Sequence, residues 1–132
     1  MKKILGRFMN TATQTLAANG TVAFTTNTMT NGLDYNNGIV IKVPGTYKIS
    51  ASFTLVATAA NSPTITMLEN GTVAPGATAS GTASAIGDCV CLSIEALTTV
   101  KPTYPNSYAT ITFTSAVATS YSNAVVIVEK ID

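Results

Sequence analysis

The stretch Gly38-Ile39-Val40-Ile41-Lys42-Val43-Pro44-Gly45-Thr46-Tyr47-Lys48-Ile49-Ser50-Ala51-Ser52-Phe53-Thr54-Leu55 decides the fold class. After the Pro44-Gly45 turn, apolar and polar side chains alternate without interruption from residue 47 to residue 55. Successive side chains of a β-strand point to opposite faces of its sheet, so a period of two predicts a strand that is buried on one face. The chain is therefore expected to be all-β.

Composition limits the class of protein. The chain has 132 residues, which is enough for one domain with a single core. Only 10% of the residues are charged and the net charge is +1, whereas ordinary soluble domains carry about 25% charged residues. A surface so poor in charge does little to resist self-association, which favours a partner over part of it.

Two classes of partner are disfavoured by the same composition. The basic residues form no stripe, which argues against nucleic acid. Apolar runs stay far shorter than the roughly 20 residues of a membrane span, which argues against a membrane partner.

The rest of the chain follows the same strand pattern. Residues 27–38 are expected to form a loop, and Asn19-Gly20 and Asn70-Gly71 predict hairpin turns. No helix is predicted. Eight to ten antiparallel strands are typical of a β-sandwich or jelly roll. The predicted strands cover residues 11–18, 21–26, 39–43, 46–58, 64–69, 72–74, 88–96, 108–114 and 123–131, with an irregular edge strand and loop over 75–87.

Three segments resemble one known family. Val43-Pro44-Gly45-Thr46-Tyr47-Lys48-Ile49-Ser50-Ala51 is similar to the Pro-x-Gly-x-Tyr motif that opens a strand in C1q/TNF-like jelly rolls, with bacterial and phage variants nearest. Residues 67–80 resemble the central hairpin of those domains, and residues 123–131 resemble their closing strand. The resemblance covers residues 38–131. It implies a ten-stranded jelly roll that assembles as a tight homotrimer around an axis of apolar and small side chains.

The strand faces agree with an assembled protein. Residues 88–96 place Val90, Leu92 and Ile94 on one face, and residues 124–128 are apolar at every position, which predicts burial of the last strand on both faces. A lone sandwich has core on only one side of each sheet, so the other side needs a partner, which closed cyclic symmetry supplies. The expected core and trimer residues are Val90, Leu92, Ile94, Val125 and Ile127.

The N-terminus is interpreted as a separate segment. Residues 1–10 are expected to form a basic and apolar arm, followed by the jelly-roll domain over 11–132. The arm is too short to fold alone and too apolar for a simple tail, so it is predicted to dock on another protein such as a capsid surface; a frayed terminus is the alternative. The expected docking residues are Lys2, Lys3, Ile4, Leu5, Arg7, Phe8 and Met9.

The sequence does not predict an active site. The chain has no histidine, and its six acidic residues form no recognisable catalytic pair. Asp34 lies among neutral amides, which make a weak calcium site at best. Cys89 and Cys91 would lie on one face of a strand, at the limit of what a disulfide spans. We expect no enzyme activity, no cofactor and no metal.

Loop aromatics offer a second kind of site. Aromatic rings at one end of a sandwich can stack on sugars, but they can equally cap the core at sheet corners. The candidate glycan-contact residues are Tyr35, Tyr104, Tyr108 and Tyr121.

Two functional hypotheses follow. The first is a non-enzymatic structural protein on the surface of a phage virion: a trimeric capsid-decoration or head-fibre subunit, favoured because no collagen-like Gly-x-y repeat precedes the domain. The alternative is a receptor- or glycan-binding module of a phage fibre or of a bacterial cell surface. A hydrolase with a site between subunits is a remote third.

Overall fold

The stretch that decides the fold class forms a strand, as its alternation predicts. In the computed structural model, which describes residues 4–11, 13–100 and 109–131, this strand runs from Gly45 to Val56. Its apolar side chains from Tyr47 to Leu55 are all buried, while Lys48 and Ser52 between them are exposed.

The described residues contain strands and no helix. Three strands are long, at 12 residues each. In chain order the strands are β1 (Leu5–Asn10), β2 (Gln14–Leu16), β3 (Thr26–Met29), β4 (Leu33–Tyr35), β5 (Ile39–Ile41), β6 (Gly45–Val56), β7 (Thr64–Glu69), β8 (Thr72–Ser80), β9 (Cys89–Val100), β10 (Ala109–Ser115) and β11 (Thr119–Lys130).

The strands form two antiparallel sheets. The six-stranded sheet has the order β3-β1-β11-β6-β9, and β2 also pairs with β11. The five-stranded sheet has the order β4-β5-β10-β7-β8. The first and last strands are neighbours, and the chain passes repeatedly from one sheet to the other, which is the connectivity of a jelly roll.

The core lies between the sheets and is held by aromatic contacts that join them. Phe53 of the six-stranded sheet lies 5.3 Å from Phe113 of the five-stranded sheet, measured between ring centroids. Phe24 contacts Phe113 edge to face at 6.2 Å. Each of these rings is buried, so burial of apolar surface between the two sheets is the main stabilising contribution.

The hairpin predicted at Asn70-Gly71 is confirmed. Asn70 and Gly71 have φ angles of 53° and 82°, and they join β7 to β8. Asn19 also has a positive φ, of 63°, but its turn leads from β2 of one sheet to Thr21, which bridges Thr114 of the other sheet. That turn therefore joins the sheets and does not close a hairpin.

Two element assignments between residues 21 and 38 are wrong. The predicted strand over 21–26 is an extended segment in which Val22 and Phe24 are buried. It crosses from one sheet to the other: Thr21 bridges Thr114, and its last residue, Thr26, begins β3. The predicted loop over 27–38 holds part of β3 and all of β4. Both strands are short and polar, and each lies at the edge of a sheet.

Within the described ranges no helix is long and apolar enough to cross a membrane.

Candidate assembly surface

The solvent side of the six-stranded sheet is the candidate functional surface, and we call it the outer face. It consists of the side chains that alternate with the buried ones along the strands, and the antiparallel register aligns them in rows across the sheet. The outer face comprises Leu5, Arg7, Met9, Thr26, Thr28, Thr46, Lys48, Ser50, Ser52, Thr54, Val56, Cys89, Cys91, Ser93, Glu95, Leu97, Thr99, Asn123, Val125, Ile127 and Glu129.

The centre of the outer face is apolar and has no long side chains. Ile127 is 42% exposed and Val125 is half-buried. Their register partners on β6 are Ser50 and Ser52, whose side chains are small. The row of Val125, which runs from Met9 through Ser52 to Ser93, carries no charge, and the row of Ile127 is charged only on strands β1 and β9. A second protein surface can therefore approach Val125 and Ile127 without desolvating an ion directly above them.

Apolar side chains also project at the ends of this face. Leu5 is 40% exposed on β1, and Leu97 is 68% exposed on β9. The other large exposed hydrophobic residues of the described chain are Val73 by a hairpin, Ile86 in a loop and Ile131 after the last strand. Grouped apolar exposure on one sheet marks an interaction surface, because solitary proteins seldom leave such patches in water.

The opposite side of the molecule is more polar. On the solvent side of the five-stranded sheet, threonine and serine hydroxyls bond to one another, as Thr64 does to Ser80 at 2.9 Å between their hydroxyl oxygens. Lys42 lies 3.3 Å from Asp34 on the same sheet. These groups satisfy each other, so this surface has less need of a partner.

The residues expected to form core and trimer contacts divide into two groups. Val90, Leu92 and Ile94 are buried within the sandwich. Val125 and Ile127 face outward, and in the single chain the last strand is buried on one face only, through Ala124, Val126 and Val128. The continuous apolar run of β11 therefore combines a core face with an outer face that is still open.

The described part of the predicted docking arm is an inner strand of the sheet. Residues 5–10 form β1, which pairs with β11 on one side and with β3 on the other. Ile4 and Phe8 are buried in the core, so they are not free to anchor the chain on another protein. This corrects the division into an arm and a domain: β1 belongs to the domain. Lys2 and Lys3 lie outside the described residues.

Three residues of the predicted docking arm lie on the outer face. Leu5, Arg7 and Met9 alternate with Gly6, Phe8 and Asn10 in exposure, and the first three lie on the outer face. The sequence does not show this alternation, because apolar Leu5 is exposed and polar Asn10 is buried.

The described tyrosines cap the core. Tyr35 is half-buried against Phe24, and its hydroxyl accepts a hydrogen bond from the Phe24 backbone N–H at 3.0 Å. Tyr121 is buried, and its hydroxyl accepts from the Ala23 backbone N–H at 3.3 Å. The buried Tyr121 ring is closed to a sugar, whereas the Tyr35 ring packs on Phe24 and stays partly exposed beside a small surface depression. Tyr104 and Tyr108 lie outside the described residues.

Charged and thiol groups of the described chain form no metal centre. No group of three or more Cys, Asp or Glu side chains is close enough to hold an ion within the described ranges. The Asp34 carboxylate accepts a hydrogen bond from the Tyr35 N–H at 2.8 Å; this bond and the Lys42 ammonium lower the pKa of that carboxyl. Cys89 and Cys91 are free, exposed thiols on the outer face.

Comparison with known proteins identifies the fold. No family model and no curated protein matches the chain. Among solved structures, the TNF protein Eiger from S. frugiperda matches with a TM-score of 0.78 at 7% identity, over 100% of this chain and 94% of Eiger. Murine APRIL matches with a TM-score of 0.73 at 8% identity, over 98% of this chain and 100% of APRIL. Likenesses at such low identity show the fold alone, and the chain has the TNF-like jelly-roll fold that its sequence motifs predict.

Proposed function

We propose that this chain is a non-enzymatic structural subunit that assembles as a homotrimer through its outer face. The observation that carries the proposal is the open apolar centre of that face, where Ile127 and Val125 stand beside the small side chains of Ser50 and Ser52. Covering it removes apolar surface from water, which is worth about 25 cal/mol per Å² before the costs of association. The TNF-like fold supports a cyclic assembly in which each copy contacts two neighbours.

A structural role is supported by the chemistry that the chain offers. The sequence contains no histidine to act as a general base. Asp34, the described carboxylate with a clearly perturbed pKa, is exposed and paired with Lys42, as a structural surface residue would be. Perturbed groups at active sites instead lie in clefts beside a reacting group.

The place of the trimer is proposed to be the surface of a phage virion, as a capsid-decoration or head-fibre subunit. Support comes from the resemblance of residues 38–131 to phage and bacterial jelly rolls and from the low charge of the chain. A capsid or other virion protein is the proposed partner. Because Ile4 and Phe8 are buried, the contact with that partner must use other residues than these two.

Native mass measurement tests the assembly. The purified chain should have three times its 13.6 kDa mass. Ile127→Arg places a charge in the centre of the outer face and should give a folded monomer. The matched control is Thr66→Arg, on the solvent side of the five-stranded sheet, which should stay trimeric. A monomeric or dimeric wild-type protein would overturn the proposal.

A second experiment tests the virion role. Mass spectrometry of purified particles should find the chain bound, and particles that lack its gene should still form, since decoration follows capsid assembly. If the chain is absent from the particles and the purified trimer gives a specific signal on a glycan array, a receptor- or glycan-binding module is the correct function. Tyr121 does not favour that alternative because it is buried, and the hydroxyl of the half-buried Tyr35 is already bonded to the Phe24 N–H.

A further inference from the structure

Four charged side chains lie on the outer face, and two of them stand opposite each other. Lys48 of β6 and Glu129 of β11 are register partners on adjacent strands. Opposite charges directly across two strands compensate each other locally. The other two, Arg7 on β1 and Glu95 on β9, have no charge directly opposite; Glu129 is diagonal to Arg7 and Lys48 is diagonal to Glu95, and neither diagonal pair is within ion-pair distance.

Arg7 and Glu95 lie in the same row near opposite sides of the face: Glu95 is on the edge strand β9, and Arg7 is on β1, one strand inside the β3 edge, where Thr28 is its neighbour. The register places Arg7 beside Ile127, Ile127 beside Ser50, and Ser50 beside Glu95. Three strand spacings separate the two charges, or about 14 Å along the row. Both residues are exposed, and neither forms an ion pair or a side-chain hydrogen bond with another described residue.

We propose that Arg7 of one copy forms an ion pair with Glu95 of the next copy around the ring. The inference rests on the proposed homotrimer and names the contact that orients it. In a closed ring every copy presents one margin to the neighbour on one side and the other margin to the neighbour on the other side. A carboxylate on the edge strand β9 and a long arginine side chain one strand inside the β3 edge satisfy this requirement with a single kind of contact.

The chemistry of the pair suits an interface between copies. An arginine guanidinium donates two parallel hydrogen bonds to a carboxylate, which fixes direction as well as distance. Ile127 and Ser50 lie between the charges in the row, so the contact would sit at the border of an apolar patch. If the subunits slid by two residues along the strands, Arg7 would face Ser93 or Leu97 and lose its carboxylate partner, which opposes incorrect assembly.

Charge exchange tests the pair. Arg7→Glu and Glu95→Arg each bring like charges together at the interface, and each should raise the concentration at which half of the trimer dissociates by at least about tenfold. The double variant restores the pair with its direction reversed and should return to within about threefold of the wild-type value. The matched control exchanges Asp34 and Lys42 on the other sheet, which should leave trimer dissociation unchanged.

Cross-linking gives a second readout that does not depend on a charge reversal being tolerated. In a Cys89→Ser, Cys91→Ser background, copies with Arg7→Cys are mixed with copies with Glu95→Cys and treated with a short bis-maleimide. Covalent joining of the two kinds of copy supports the pair. A wild-type monomer would overturn the homotrimer itself. A wild-type trimer that shows neither rescue nor cross-linking would overturn the Arg7–Glu95 contact alone.

Discussion

The hydroxyl of Tyr47 donates a hydrogen bond of 2.6 Å to the backbone carbonyl oxygen of Val43. The bond spans the Pro44-Gly45 turn, so the buried ring at the start of β6 also fixes the segment that leads into the strand. Burial raises the pKa of this phenol above its ordinary value. The motif that opens β6 therefore has a structural reason for a tyrosine at this position.

Tyr47→Phe should lower the free energy of unfolding by about 1 kcal/mol at pH 7, because the Val43 carbonyl loses its donor. The pH dependence gives a second test. The folded pKa is raised, so the stabilisation is present below the unfolded value of about 10 and is lost as pH rises through the folded value. Wild-type stability should thus fall steeply above about pH 10, and the fall should be smaller in Tyr47→Phe.

Denaturant titrations at pH 8 and above pH 10 measure both effects. Tyr35→Phe is the matched control, because it removes another hydroxyl but leaves the Tyr47 bond intact. It should keep the wild-type alkaline slope. If stability fell equally steeply with rising pH in Tyr47→Phe and in the wild-type chain, the alkaline loss of stability would not come from Tyr47.

Phe113 connects the two sheets through Phe53 and Phe24. Phe113→Ala should cost about 3–5 kcal/mol, since it removes a buried ring and leaves a cavity that the two sheets cannot fully close. This is a large fraction of the 5–15 kcal/mol that typical domains possess. Phe113→Leu keeps most of the volume and should cost less. Thr112→Ser, one residue away and facing outward, should change stability little, and chemical denaturation compares the three.

The Asn70-Gly71 turn depends on its left-handed backbone. Gly71 has a φ of 82°, and a Cβ built there meets no atom within 4 Å. The cost of Gly71→Ala is therefore backbone strain alone, about 1–2 kcal/mol. Thr72→Ala, on the neighbouring exposed residue, is the control. Thermal unfolding that shows the two variants equally stable would exclude strain at this turn.

The local sequence pattern was sufficient to predict those strands that have one buried face and a turn at their end. The alternation of β6 and the limits of β7 at Thr64–Glu69 agree with the sequence interpretation, because each strand has one buried face and a turn signal at its end. The Asn70-Gly71 hairpin is likewise local. These elements fix the class of fold without any knowledge of their partners.

Local pattern failed where position depends on distant strands. β1 looks like a short basic arm, but it pairs with β11 at the other end of the chain, and no window of sequence contains both. β3 and β4 are short, polar edge strands. Pairing with β1 and β5 holds them in place. The outer face combines both cases. The apolar run of β11 was visible in the sequence, whereas the positions of Arg7 and Met9 on this face could be known only from the order of the strands in the sheet.

The two thiols test whether the outer face is covered in solution. Cys89 and Cys91 are exposed in the single chain, at the β9 margin of the face. A bulky thiol reagent should react with them more slowly in the trimer than in the Ile127→Arg monomer, because a neighbouring copy restricts access. Rates of reaction with Ellman's reagent measure this difference.

Single-cysteine variants extend the thiol measurement into a map. Cys91 lies two residues closer to Glu95 than Cys89 does, so it should be the better protected if Glu95 contacts the next copy. Cys89→Ser and Cys91→Ser leave one thiol each, and their rates separate the two positions. Protection of Cys89 alone would place the covered region at the other end of β9 and so contradict the Arg7–Glu95 contact, whereas equal rates in trimer and monomer would mean that this margin of the outer face stays in water.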